Sequence, residues 1–324
     1  MDRSTTHGTW GVIHTEDAMT KSPVGVIDIG SNTTNLLIIG TDGNDIERVV
    51  TTTRLGHDVF STGLLQQDAI DRTVNVVIDY VSRCRSHNVD DIRIVGTAAC
   101  RKASNTQDLT QRIREATGCE LRVLAAEDEA RLSFEGALVG LPAHDGLSVV
   151  VDIGGGSTEF TVGVHDPDQV ASINHGAVAI TQREFTTDPP APEDLTNAIG
   201  AVSDDIEELT RTMPALLGSP RFVGTAGTFV TVAAVELGLM EFDNTALHGM
   251  ALTREAAEDV FRTLATESLE ERVHNPGLPR DRADIIVGGC CIVVAIMRRL
   301  YLPEIVISTR GLIDGVARRA KLEL

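Results

Sequence analysis

Short runs of β-branched and apolar residues alternate along this chain with segments of helical period, and two of the runs are copies of one another. Val26-Ile-Asp-Ile-Gly-Ser-Asn-Thr-Thr-Asn35 returns 124 residues later as Val150-Val-Asp-Ile-Gly-Gly-Gly-Ser-Thr-Glu159. Each copy reads on into a second apolar run, Leu36 to Ile39 and Phe160 to Val164. Two apolar runs around a short Gly-containing turn predict a β-hairpin.

The rest of each half continues in the same order. A third strand is expected over Arg48–Thr53. A helix over Asp68–Ser86 follows from the spacing of Ile70, Val74, Val77, Ile78 and Val81. Ile92–Val95 reads as a strand leading into Gly96, a helix spans Thr106–Thr117, Leu121–Leu124 is a strand and Glu127–Leu141 a helix. In the second half, a Pro-rich loop at Asp188–Pro192 precedes a helix over Glu193–Thr212, and Phe222-Val223 enters Gly224-Thr-Ala-Gly-Thr228 and a helix to about Glu236. Helices over Thr253–Ala265 and Arg282–Leu300, a strand at Ile305–Ser308 and a helix at Gly311–Lys321 complete it. The pattern predicts an α/β protein built by duplication. We place domain I at 23–146, domain II at 147–310 and a C-terminal helix, 311–324, packing back on domain I. Residues 1–22 are polar, lack a secretory core and are expected to be a disordered extension.

Bulk properties narrow the chemistry. A length of 324 residues with 42% hydrophobic and 23% charged residues suits two ordinary globular domains. An aromatic share of 3% offers few stacking platforms for single-stranded nucleic acid. A net charge of −19 repels nucleic acid and anionic membranes. The charge is uneven: residues 24–146 hold 12 Lys/Arg against 18 Asp/Glu, net −6, and residues 147–310 hold 11 against 24, net −13. The first half is therefore the better place for arginines that face an anion. Five cysteines without CxxC spacing fit reduced thiols in a cytoplasm. The longest apolar stretch, Ile285–Met297, is too short to span a bilayer and reads as a buried helix.

The two hairpin tips carry the candidate chemistry. Gly30, Ser31, Asn32 and Thr33 in the first, and Gly154, Gly155, Gly156, Ser157 and Thr158 in the second, combine close backbone approach, outward N–H groups and hydroxyls. Asp28 and Asp152 are unsuited to phosphate itself, but each can hold Mg²⁺ through water. The pair predicts a phosphate chain gripped between two related domains.

These residues resemble the exopolyphosphatase and guanosine-pentaphosphate phosphohydrolase family. The family lies within the ribonuclease H-like superfamily of actin, sugar kinases and chaperone ATPases. The resemblance covers about Val24 to Val316 and rests on the two loops, Gly96-Thr-Ala-Ala-Cys-Arg-Lys-Ala-Ser-Asn105, Glu129-Ala-Arg131, Gly224–Thr228, His248-Gly249, Pro276-Gly-Leu278, Arg282-Ala-Asp-Ile285 and Arg310-Gly311. It implies two duplicated domains with an interdomain cleft. Glu129 would be the base that takes a proton from water, and Arg101 a guanidinium on the terminal phosphate, with Lys102 and Asn105 assisting. Glu159 would be a metal ligand or the partner that orients water. Mg²⁺, or Mn²⁺, would be spread over Asp28, Asp152 and Glu159, with a monovalent cation such as K⁺ as an accessory; a homodimer is also implied. Two departures stand out: Ala125-Ala126 replaces the family's common Ser-Gly, and the longer members' C-terminal region, with its metal-binding His-Asp signature, is not expected here.

The resemblance implies hydrolysis of the terminal phosphate of inorganic polyphosphate, with guanosine pentaphosphate as the alternative substrate. A superfamily kinase would need an acceptor pocket and usually an Asp base. A silent alarmone-binding regulator would not need Glu129 or both Asp-Ile-Gly loops.

Overall fold

A computed structural model describes residues 22–218 and 221–322. The expected disordered extension therefore lies, but for Ser22, outside the described residues.

The first half opens with β1 (Val24–Ile29), β2 (Thr33–Ile39) and β3 (Asp45–Thr52), then α1 (Val59–Thr62) and α2 (Gln67–Ser86). β4 (Asp91–Gly96), α3 (Ala98–Lys102), α4 (Thr106–Thr117), β5 (Leu121–Val123) and α5 (Ala126–Ala137) follow. The second half repeats the opening with β6 (Ser148–Ile153), β7 (Thr158–Gly163) and β8 (Pro167–Ile173), then α6 (Ala177–Glu184) and α7 (Pro192–Thr212). Next come β9 (Arg221–Thr225), α8 (Ala226–Glu236), α9 (Asn244–Leu247) and β10 (Ala251–Thr253). α10 (Arg254–Thr266), α11 (Leu269–Arg272), α12 (Ile286–Arg299), β11 (Glu304–Ile307) and α13 (Leu312–Leu322) end the chain.

The first sheet runs β3-β2-β1-β4-β5 and the second β10-β11-β9-β6-β7-β8. Without the short edge strand β10, the second order is the first one repeated, with antiparallel hairpins followed by parallel crossovers. This is the duplicated α/β architecture expected from the sequence. β8 and α6 were not expected: β8 is an exposed edge strand beginning at a proline, so its apolar alternation is weak. Ile78, counted in the apolar series of α2, is 41% exposed; the helix buries Ile70, Val74, Val77 and Val81 instead. The apolar run before Met297 is helix α12, buried from Ile286 to Met297 at the centre of the second core.

Strand periodicity places the acids. In β1, Ile27 and Ile29 join the core under α2, while Val24 and Val26 meet Leu312, Ile313 and Val316 of α13. Asp28 shares the parity of Val24 and Val26, so it faces the α13 side. In β6, Val149, Val151 and Ile153 enter the large second core, whereas Val150 meets Phe134 and Ala137 of α5. Asp152 shares the parity of Val150 and faces α5.

The two covering helices are exchanged. α5, which precedes the second hairpin in sequence, lies against β6, β7 and β8 of the second sheet, and α13 of the second half covers β1 and β2 of the first. They cross in backbone contact: a Cβ on Gly136 would sit 1.9 Å from the Gly311 carbonyl oxygen, and one on Gly315 1.9 Å from that of Leu132. α5, which the boundary at 146/147 groups with the first half, packs on the second sheet and also enters the first sheet's core through Leu132.

Candidate active site

The hairpin tips meet. A Cβ on Gly155 would lie 2.7 Å from Ser31 Cβ, and one on Gly156 2.2 Å from the ring of Phe60. No side chain fits at either glycine unless the halves separate. Behind each tip, the segment after the third strand ties off the loop carbonyls. Ser31 O accepts from Gly56 N (2.7 Å), and Asn32 O from Thr53 N and Arg54 N (3.0 and 2.9 Å). In the second half Gly154 O accepts from Ala177 N (3.0 Å) and Gly155 O from Ala179 N (2.9 Å). With the carbonyls held back, the amides of Ser31, Asn32, Gly155 and Gly156 have no acceptor among the described residues. Four unspent N–H groups at the junction of two domains form an anion cradle.

Side chains at the first tip are equally unspent: Ser31 Oγ and Asn32 Nδ2 are buried without a partner. Buried polar groups left unpaired in a native protein mark a place for a ligand, ion or water. The tip hydroxyls divide. Thr158 Oγ1 donates to the His175 carbonyl (2.6 Å), and Thr34, its counterpart, bonds Thr53 Oγ1 (2.9 Å). Both are turned into the fold, which corrects the expectation that the Thr158 hydroxyl faces phosphate. Thr33 keeps the outward parity, whereas the Ser157 hydroxyl is hydrogen-bonded to Glu159.

Four acids gather on the interdomain side: Asp28 and Asp152 at the ends of β1 and β6, Glu159 opposite Asp152, and Glu129 in the first turn of α5. Three of them lean on neutral donors. Asn35 Nδ2 donates to Asp28 Oδ2 (2.9 Å), Ser133 Oγ to Asp152 Oδ2 (2.7 Å) and Ser172 Oγ to Glu159 Oε1 (3.0 Å). Burial pushes the Asp28 carboxyl up to about 7, with the Asp152 charge adding and Asn35 opposing. Burial, then the Asp152 charge, carries Glu159 to about 7, and burial also raises Asp152. Glu129 is raised by burial first and then by Glu159, against the lowering pull of Arg101. Such mutual repulsion among buried carboxylates is relieved by a cation.

Arg101 stands at the end of α3, donates to the Leu124 carbonyl (3.1 Å) and is ion-paired with Glu129. Lys102 is exposed, and Asn105 spends both amide atoms on Leu65 (2.8 and 3.0 Å), so Asn105 braces the loop rather than facing the tips. Arg310 binds Asp45 and Asp314, a structural tie between α13 and the first sheet. Arg282 differs from it. Its guanidinium fills the space over Gly227, where a Cβ would lie 2.0 Å from Nη1, and it has no hydrogen-bond or ion-pair partner among the described residues. Beside it, Arg54 of the first half pairs with Asp284 of the second at 3.1 Å. The hairpins, Glu129 and Arg101 were legible as candidates; Ser133, Ser172, Asn35 and Phe60 were not, because a lone serine or phenylalanine carries no spacing signal.

Comparison with known proteins agrees with this geometry. The Ppx/GppA phosphatase family matches residues 40–323. This chain belongs to the Ppx/GppA phosphatase family. It is 30% identical over 315 residues to exopolyphosphatase 2 of Mycobacterium tuberculosis, covering 92% of this chain and 98% of that protein. Among solved structures it superposes on an exopolyphosphatase-like protein with a TM-score of 0.88 at 28% identity, covering 93% of this chain and 99% of that one. A Ppx/GppA family member from Aquifex aeolicus gives a TM-score of 0.78 at 29% identity, covering 93% and 98%. These relatives cover 92–93% of this chain, so its two-domain body is family architecture.

Proposed function

We propose that this protein is an exopolyphosphatase, releasing orthophosphate from the end of inorganic polyphosphate. The observation that carries this reading is the cradle of four free amides where the two tips meet, bordered by four buried acids and Arg101. A chain of consecutive phosphates suits it better than a single phosphate, because each tip can take a separate phosphoryl group.

In this reading the amides of Ser31, Asn32, Gly155 and Gly156, with the Ser31 and Asn32 side chains, bind non-bridging oxygens and fix the chain in register. Arg101 passes from Glu129 to the terminal phosphoryl group as substrate enters, and Glu129 is left free to act as base. Water oxygen bonds to the terminal phosphorus as the bridging P–O bond breaks. The water proton goes to Glu129, and the shortened chain leaves with the bridging oxygen. Catalysis is then mainly positioning and charge stabilisation.

The residues fit a divalent cation. Asp28 Oδ1 is buried without a partner, and the neighbouring carboxyls repel one another. Among the described residues no three such side chains converge as a ready-made ligand set, so the fit is to a cation completed by substrate oxygens and water. Asp28, Asp152 and Glu159 would face it, in part through water, and it would supply neutralisation of phosphate charge. All five cysteines are free thiols, which suits a reducing compartment such as the cytoplasm. No helix among the described residues is long and apolar enough to cross a membrane.

The test is orthophosphate release with Mg²⁺ from polyphosphates of several lengths and, in parallel, from guanosine pentaphosphate, for the wild type and Glu129→Ala. Loss of 10²- to 10⁴-fold in Glu129→Ala is expected for a general base. Equal activity of the two proteins would remove Glu129 from the mechanism, and faster release from guanosine pentaphosphate would reassign the substrate.

A further inference from the structure

Ser133 follows Glu129 by one helical turn on α5 and is 1% exposed. A buried hydroxyl in a helix ordinarily spends itself on the carbonyl four residues back. Thr73, Thr110, Thr117 and Ser203 all do so in this protein, at 2.7 to 3.1 Å. Ser133 instead reaches out of its helix and donates to Asp152 Oδ2 at 2.7 Å. Its backbone is clamped on both sides. Thr161 Oγ1 donates to the Ala130 carbonyl (3.2 Å) and Ser308 Oγ to the Ala137 carbonyl (2.8 Å), fixing α5 on the second sheet. The helix that carries the base and the strand that carries Asp152 are therefore bonded to each other at the level of the site.

We infer that Ser133 is a positioning residue for the hydrolysis, holding Asp152 on the helix of Glu129 so that acid and base form one rigid unit. The inference rests on the roles given above to Asp152 and Glu129. One oxygen of Asp152 is committed to Ser133, which fixes the direction in which the other can serve a cation or an ordered water. Without the hydroxyl, Asp152 loses this donor in a buried site and is free to turn. Partners that orient a metal-facing carboxylate typically contribute 10- to 100-fold to affinity or turnover.

The experiment compares the wild type, Ser133→Ala, Ser133→Thr and Thr161→Val. Thr161→Val removes a hydroxyl bonded to the same helix but touching no acid. Two measurements are made: steady-state kcat and KM for polyphosphate, and calorimetric affinity for Mn²⁺ in the presence of saturating imidotriphosphate, which cannot be hydrolysed. Ser133→Ala is expected to lower kcat and weaken Mn²⁺ by 10- to 100-fold each, with KM within about threefold. Ser133→Thr, which keeps the hydroxyl, is expected to recover most of both losses, and Thr161→Val, which loosens the same helix without touching an acid, to cost no more than about threefold in either. The inference is overturned if Ser133→Ala stays within twofold of wild type in both readings. It is equally overturned if Thr161→Val falls alongside it in step with melting temperature. A wild type that releases no orthophosphate would defeat the functional reading instead, while the Mn²⁺ titration would still decide the role of Ser133.

Discussion

Replacing Gly155 with alanine puts the tip-to-tip contact to a direct test. The new methyl would sit 2.7 Å from Ser31 Cβ and 3.3 Å from Val178 Cγ2. Non-bonded carbons are at their optimum about 3.5–4.0 Å apart, so the tips must part by roughly 1 Å. Ser31 cannot yield by rotation, because the atom it presents is Cβ itself and its carbonyl is tied to Gly56 N at 2.7 Å. A displacement of about 1 Å between groups that hold one substrate costs on the order of 100-fold in turnover, or about 2.7 kcal/mol of barrier. The neighbouring glycine is the control: a Cβ on Gly154 would meet only the Ser157 carbonyl oxygen at 3.3 Å, within its own hairpin. Orthophosphate release from polyphosphate under saturating Mg²⁺ should therefore fall about 100-fold for Gly155→Ala and by only a few fold for Gly154→Ala. Melting temperatures of both should stay near wild type, since the contact joins halves that each keep their own core. Similar kinetics for the two variants would refute the claim that the tips work in contact.

Three further outcomes follow from the same geometry. Gly315→Ala would drive a methyl into the Leu132 carbonyl at the α5–α13 crossing, so thermal melting should show a loss of about 1–3 kcal/mol, as for other overpacked sites. Arg101→Ala should raise KM for polyphosphate at least tenfold and Arg101→Lys should recover only part of it, because a point charge replaces a forked donor; steady-state kinetics decide this. Asp28 and Glu159 are raised to about 7, above their ordinary values of 3.8 and 4.5, so between those values and 7 the folded protein binds more protons than the unfolded chain. Their contribution to stability is thus present below about pH 4 and lost as pH rises through 7. Melting followed without divalent cation should decline toward pH 8, and added Mg²⁺ should recover it there more than at pH 5; a flat profile would contradict the burial of these carboxyls.

Much of this protein was legible in the chain itself because the signals are local. The repeated Asp-x-Gly turns between β-branched runs determined two hairpins, and their alternation determined that Asp28 and Asp152 lie on one face of each strand. The unbroken apolar run around Cys290 and Cys291 likewise determined a fully buried helix. Tertiary structure alone decided three matters. An apolar helix face fits either sheet equally well in sequence terms, and only packing assigned α5, grouped with the first half in sequence, to the second sheet. Hydroxyl direction depends on which carbonyl lies nearby, so Thr158 turned inward to His175 although its spacing suggested the cleft. Ser133 acquired its partner 19 residues away, where two separate backbones converge at 2.7 Å, and no periodicity along one of them encodes the other.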